Sequence, residues 1–358
     1  MVIVGVDAHK RTHTCVAVDD RGRKLGEKTV PATSAGNASA LKWALLEYGP
    51  ELTWGIEDVR LVSRRLEKDL LGAGQRVVRV PTKLMARTRA SARTRGKSDS
   101  IDATAVARAV LREPDLPVAQ HDPVSRELGL LTERRETLVE QRTATINRVQ
   151  WRIHELDPAR SATLRRLIYV KNRQPVAAWL ATQPGLVAEL ARDELDDIAR
   201  LTAAINAMGK RIAACAGMHA KNLLAVPGCG DLTAAKVIAE TANVTRFKSE
   251  AAFARYIGVA PLPHSSGATD GRVRMTRSGN RQLNAAVHRI AVSQVRMDGP
   301  GRAYYRKRLQ AGDSSATALR TLKRRISRVV FTRLKADEAE RHPQSDTIVN
   351  VDTADTSG

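Results

Sequence analysis

The sequence predicts an α/β layer domain followed by a mainly helical half. Three observations carry this. An apolar run and two strand-like stretches joined by turn residues open the chain, helix and strand patterns then alternate to residue 80, and beyond Ser125 apolar residues recur at helical spacing.

Taken in order, Val2 to Val6 is the first strand, Thr12 to Val18 alternates as a second, and Lys24 to Val30 is a third, set off by the turn Asp19-Asp20-Arg21-Gly22. A helix pattern runs from about Ala38 to Tyr48. Thr53 to Ile56 reads as a strand, Leu61 to Leu71 as a helix stopped by Gly72 and Gly74, and Arg76 to Val80 as a strand ended by Pro81. From Ser125 to Leu156, Leu128, Leu131, Leu138, Ile146, Val149 and Ile153 keep helical spacing, as do Leu195, Ile198, Leu201, Ile205, Met208 and Ile212. Two such helices suit an antiparallel coiled-coil arm or dimerisation element, and equally an ordinary bundle. The proline-containing stretch Asp157 to Leu190 carries no readable pattern. A compact helical domain is expected from Leu223 to about Leu334. Ala336 to Gly358 sets Asp337, Glu338, Glu340, Asp346, Asp352 and Asp355 against Arg341 alone and is expected to be a disordered acidic tail. The expected partition is therefore residues 1–115, 116–220, 221–334 and 335–358.

The 358 residues carry 59 Lys+Arg and 38 Asp+Glu, a formal net charge of +21. Such an excess bears on partners rather than fold and points to a polyanion, foremost nucleic acid. Aromatic residues are only 3%, which excludes base stacking on aromatic platforms as the main mode of recognition. No apolar run is long enough to span a membrane, and the N-terminus lacks a signal-peptide layout, so a cytoplasmic protein is expected. Cys15, Cys215 and Cys229 are odd in number and far apart, which argues against a disulfide framework. His13 and Cys15 read as strand residues rather than zinc ligands.

Four carboxylates stand at the ends of elements. Asp7 closes the first strand and Glu57 closes the strand around Ile56, so both fall at one sheet edge. Asp99 and Asp102, three apart at the start of the run Ile101 to Leu111, share a helix face. Converging carboxylates repel unless a cation sits among them, as in two-metal phosphoryl-transfer sites. Singly, each has a plainer reading: a turn residue for the strand-end acids, a helix cap for Asp99. Immediately before the Asp99/Asp102 pair, Lys83, Arg87, Arg89, Arg93, Arg95 and Lys97 run with no acidic residue. A basic run beside a carboxylate cluster is reconciled by a nucleic-acid backbone.

Further on, Val226-Pro227-Gly228-Cys229-Gly230 before the helical Leu232 to Glu240 resembles a helix-hairpin-helix, whose Gly228 and Gly230 turn would offer backbone N–H groups to a phosphate. A plain turn between packed helices is the alternative. The loop Pro261-Leu262-Pro263-His264-Ser265-Ser266-Gly267 is followed by Arg272, Arg274, Arg277, Arg281 and Arg289. Serine there is ordinarily a turn residue; activation as a nucleophile toward phosphate would need a nearby base, a metal, or clustered arginines, and the arginines are present. Tyr256, Tyr304 and Tyr305 are rival nucleophiles, the last two more simply read as helix packing residues.

Together Gly5-Val6-Asp7-Ala8-His9-Lys10, Gly55-Ile56-Glu57-Asp58, Arg79-Val80-Pro81, Gly96-Lys97-Ser98-Asp99-Ser100-Ile101-Asp102-Ala103, Tyr256-Ile257-Gly258-Val259-Ala260-Pro261, Ser266-Gly267 and Gly279-Asn280-Arg281-Gln282-Leu283-Asn284 resemble the DEDD transposases of the insertion-sequence-110 family, relatives of the pilin-gene invertases. The resemblance runs from residue 1 to about 334. It implies an N-terminal ribonuclease-H-like (RuvC-like) domain, long antiparallel coiled-coil helices, and a C-terminal transposase domain. It implies that Asp7, Glu57, Asp99 and Asp102 hold Mg²⁺, for which Mn²⁺ would substitute, and that Lys10 lies on the nucleic-acid side. The catalytic serine maps to Ser266, with Ser265 one residue away as the alternative. The implied activity is site-specific recombination, directed by a structured bridge RNA that pairs with donor and target DNA, through a covalent phosphoserine and a Holliday junction. A dimer or tetramer would be needed, nucleoid-associated when on DNA. Two rivals stand beside it: a metal-dependent junction nuclease using water, and a non-enzymatic architectural nucleic-acid-binding protein.

Overall fold

The computed structural model describes residues 1–57, 60–81, 84, 98–113, 116, 118–120, 122–263, 273–275 and 279–341. Two units follow one another, Met1–His121 and Asp122–Gly358.

The first unit is built on a five-stranded mixed sheet. Its strands are β1 (Val2–Ala8), β2 (Thr12–Val18), β3 (Lys24–Pro31), β4 (Leu52–Glu57) and β5 (Arg76–Val80), in the order β3-β2-β1-β4-β5. β1 is central, antiparallel to β2 and parallel to β4, and β4 is parallel to β5. Side-chain alternation gives the sheet two apolar faces. Val4, Val6, Trp54 and Ile56 pack on one side with α1 (Ser34–Tyr48) and α2 (Arg60–Gly72), through Ala40, Ala44, Leu66 and Leu70. On the other side Ile3, Val16 and Val18 meet Ala103 and Ala107 of α3 (Asp99–Arg112). This three-layer arrangement fits the expected ribonuclease-H-like domain. Helix α1 starts four residues earlier than its apolar pattern suggests because Thr33 caps it, accepting a hydrogen bond from the Gly36 N–H.

The second unit opens with two 34-residue helices, α4 (Pro123–Leu156) and α7 (Leu186–His219), each about 50 Å long at the usual rise per residue. They are antiparallel: Leu128 and Leu131 share a core with Ile212 and Cys215, whereas Val149 and Ile153 pack with Leu195 and Ile198. Arg152 and Arg148 of α4 reach Glu194 of α7 at 2.8 and 3.2 Å. Between them lie a short α5 (Pro158–Ala162) and α6 (Val170–Ala181), which covers the far end of the pair with Val176 and Leu180. That stretch hid its helix from the sequence because Pro175 sits inside it.

The near ends of α4 and α7 do not form a separate segment. They share one core with α8 (Lys221–Leu224), α9 (Asp231–Thr241), α10 (Glu250–Ile257), α11 (Arg281–Arg296) and α13 (Ser315–Arg341), through Leu223, Val237, Ile238, Phe253, Ile290, Leu322 and Val330. The short strands β6 (Pro261–Pro263) and β7 (Val273–Met275) pair antiparallel, and α12 (Pro300–Gln310) packs beside α11 and α13. Tyr304 and Tyr305 lie against this core, with Arg325 stacked 4.3 Å from the Tyr304 ring centroid, as packing residues do.

The expectation of a disordered tail from residue 335 is corrected for its first seven residues. Helix α13 continues to Arg341, and Asp337 and Glu338 are buried in it. Counting charge missed what the carboxylates do. Asp337 accepts hydrogen bonds from the N–H groups of Asn222 (2.8 Å) and Leu223 (3.1 Å), capping α8 across 115 residues of chain, while Glu338 pairs with Arg341. The rest of that expected tail lies outside the described residues.

Candidate active site and cationic cleft

The site of the first unit grows from two glycines paired in register, Gly5 on β1 and Gly55 on β4. A Cβ on Gly5 would meet the Ala103 carbonyl oxygen at 2.1 Å, and one on Gly55 would meet a Val110 methyl at 2.7 Å. Only bare backbone lets α3 lie this close to the sheet. Two residues further along each strand, hence on the same face, stand Asp7 and Glu57. They follow the paired Val6 and Ile56 at the carboxyl ends of adjacent parallel strands.

The approach of α3 brings its acidic first turn to the same edge. Ser98, not Asp99, is the N-cap, its hydroxyl accepting from the Ile101 N–H; Asp99 is thereby released from the capping role. Asp102 is buried and Asp99 is exposed. Burial pushes the Asp7 carboxyl above the usual carboxylate range, and the charges of Asp102 and Asp99 push the same way, against the lowering influence of His9. The His9 ring, in the turn after β1, places Nε2 3.0 Å from Asp7 Oδ2 and 3.4 Å from Asp99 Oδ1. Asp7, His9 and Asp99 each offer a ligand atom within 4.8 Å of the others, and this donor set fits a divalent cation. His9 escaped the sequence reading because it belongs to neither a strand face nor a helix face. Lys10, beside it, is exposed.

Of the basic run before α3, Lys83, Arg87, Arg89, Arg93, Arg95 and Lys97 lie outside the described residues. So do Ser265, Ser266, Arg272 and Arg277, and of Arg274 only the backbone, in β7, is described. What the structure does fix is both flanks of the serine segment, which connects β6 to β7. Upstream, α10 leads through Gly258, in the left-handed region at φ +77°, into β6. Downstream, Asn280 caps α11 and donates to Glu240 Oε2 at 2.8 Å, and Asn284 donates to the Ile257 carbonyl at 3.0 Å. The motif asparagines thus tie α11 to α9 and α10. Tyr256 is held in the same packing, its ring against Phe247 and under Arg246.

The second unit also contains an open cleft of about 920 Å³, lined by Arg135 of α4, Lys210 of α7, Gly228 and Gly230 of the glycine turn, and His288 and Arg289 of α11. Gly228 serves packing: φ is +81°, and a Cβ there would meet Ser293 Cβ at 2.8 Å. Gly230 faces open space and begins α9 without a side-chain cap. Arg281 is exposed on the first turn of α11. Arg135 and Lys210 carried no local signal, since the groove is assembled from elements far apart in sequence. Cys15 and Cys229 are buried, with thiols pushed up to about 12, so neither is a nucleophile at neutral pH.

Residues 4–156 match the family model of DEDD transposases of IS110, described as a transposase, and residues 220–306 match the "Transposase IS116/IS110/IS902 family". Both halves of the chain are thus matched, in the expected order. The chain belongs to the IS110 transposase family. All four element-end carboxylates of the transposase fall inside the first match. Similarity extends along whole proteins: the chain is 26% identical to the "Insertion element IS900 uncharacterized 42 kDa protein" of Mycobacterium paratuberculosis, over 97% of this chain and 98% of that one. It is also 26% identical to the "Insertion element IS116 uncharacterized 44.8 kDa protein" of Streptomyces clavuligerus, over 93% and 94%. A structure of T. thermophilus RuvC in complex with a Holliday junction substrate is similar to 33% of this chain and 99% of its own, at 13% identity and a TM-score of 0.27. As a transposase the protein is a DNA-cleaving enzyme, and its family implies a divalent metal site. Among the described residues no helix is long and apolar enough to cross a membrane.

Proposed function

We propose that this transposase recombines DNA through a covalent serine intermediate, guided by a bridge RNA, with Asp7, Glu57, Asp99 and Asp102 holding Mg²⁺. The observation that supports metal-dependent cleavage is the gathering of Asp7, Asp99 and Asp102 at the edge where Glu57 ends the next strand, where burial first, and then the charges of Asp102 and Asp99, oppose ionisation of Asp7. Bound metal would supply charge neutralisation at the scissile phosphate. The carboxylates hold and orient, and α3 keeps their spacing through its seat on Gly5 and Gly55. The Ser266 hydroxyl attacks phosphorus: the Oγ–P bond forms, the bond to the leaving deoxyribose oxygen breaks, and the hydroxyl proton is transferred to that oxygen. Ester energy is conserved, so the reverse attack by a deoxyribose hydroxyl rejoins strands through a Holliday junction without ATP. Ser265 is the alternative nucleophile. Synapsis of donor and target requires two or four protomers.

The cationic groups grip backbones, while pairing of the guide reads sequence. This role falls to Lys10, the run from Lys83 to Lys97, the Gly228–Gly230 turn, and Arg272, Arg274, Arg277, Arg281 and Arg289. Arg135 and Lys210 join them across the cleft. The low aromatic content fits backbone and shape recognition. Purifying the transposase from its native cells and sequencing the bound RNA tests the guided reading. A discrete RNA encoded within the element is expected; its absence overturns guidance.

A further inference from the structure

We propose that His9 is a metal ligand of the carboxylate site, which gives the transposase a mixed nitrogen–oxygen donor set and a preference for Mn²⁺ over Mg²⁺. The inference rests on the metal-binding reading of Asp7 and Asp99 and adds a residue outside the acidic quartet. Its support is geometric. With bonds of about 2.1 Å, donors on adjacent vertices of an octahedron stand about 3 Å apart. His9 Nε2 lies 3.0 Å from Asp7 Oδ2 and 3.4 Å from Asp99 Oδ1, and ligand atoms of all three residues lie within 4.8 Å of one another, so small side-chain adjustments would bring the three onto one ion. A ring nitrogen also has one proton to give at most, and here it faces two carboxylate oxygens from different elements. A shared cation satisfies both contacts at once.

The turn geometry places the ring for this. β1 ends at Ala8, and the His9 N–H donates to the Thr12 carbonyl at 2.9 Å, fixing the backbone just past the strand. The side chain is half exposed (49%), which leaves the outer side of the site open to water or a phosphate oxygen. An imidazole nitrogen is a better donor to transition-metal ions than to Mg²⁺, whose preferred ligands are carboxylate and water oxygens.

Pulsed electron paramagnetic resonance on the Mn²⁺-loaded, full-length transposase reads the donor directly. We expect nitrogen hyperfine coupling in the wild type, altered by ¹⁵N-histidine labelling and absent in His9→Ala. Mn²⁺ affinity should fall at least about tenfold in the variant, no less than the loss of an outer-shell partner costs a metal site, and competition with Mg²⁺ should show the Mn²⁺ preference falling with it. The labelled wild type needs no variant to fold. Mn²⁺ bound in an Asp7-dependent manner without nitrogen coupling overturns the role of His9 and leaves the carboxylate site standing. Coupling that survives in His9→Ala assigns the nitrogen to another histidine and likewise overturns it. A wild type that binds no Mn²⁺ overturns both readings.

Discussion

A Cβ on Gly5 would lie 2.1 Å from the carbonyl oxygen of Ala103. This contact sets how near α3 sits to β1, and so how near Asp99 and Asp102 come to Asp7. The bare backbone of one strand residue therefore fixes the spacing of side chains two positions along.

Gly5→Ala should force α3 off the sheet and lower the free energy of unfolding by about 1–3 kcal/mol, the range seen for overpacked sites. Urea titration measures this. DNA cleavage should fall as well, because the displaced helix carries half of the carboxylates. Gly72→Ala, where the added methyl meets nothing within 4 Å, should leave both unchanged.

Burial of the Asp7 carboxyl costs the fold stability when the group is ionised. Its folded-state carboxyl titrates above the ordinary 3.8, so protonation stabilises the fold below that value, and this stability is lost as pH rises through the folded pKa. Without divalent metal, Asp7→Asn should melt higher than wild type at pH 7, and the gap should close as pH falls toward 3.8. Divalent ions should raise the wild-type Tm and leave that of Asp7→Asn unmoved. A variant that melts lower than wild type at pH 7 would contradict this reading.

Much of this site was legible beforehand, for a physical reason. Strand periodicity puts Asp7 and Glu57 at strand ends, and helical spacing aligns Asp99 with Asp102, so local pattern carries the arrangement. His9 was not legible, because a turn residue has no period to place it. Arg135 and Lys210 were hidden too, as partners that meet only when α4 and α7 pair. The acidic residues past 334 misled because composition records charge and not which amides lack an acceptor.

Asp337 gives that last point a test. Asp337→Ala should cost about 1–3 kcal/mol, since it strips acceptors from two backbone N–H groups of α8. A chain ending at Leu334 should melt below one ending at Arg341, as thermal denaturation will report. Equal melting would return residues 335–341 to the status of a dispensable tail.

The cleft predicts a salt signature. Arg135→Ala and Lys210→Ala should each weaken nucleic-acid binding about equally across sequences and reduce the slope of log K against log salt by about 1. Fluorescence anisotropy at several ionic strengths measures it. An unchanged slope in both variants would remove the cleft from the interface.

The most direct measurement is an attempt to trap the proposed protein–DNA intermediate. The transposase, any RNA that co-purifies with it, Mg²⁺ and end-labelled element DNA are combined and then denatured, and any linked peptide is identified by mass spectrometry. A phosphoserine ester at Ser266 is predicted, lost in Ser266→Ala while the carboxylates remain intact. Cleavage by Ser266→Ala at the wild-type rate, with free phosphate ends and no linked peptide, would contradict the covalent mechanism and leave a water-using nuclease.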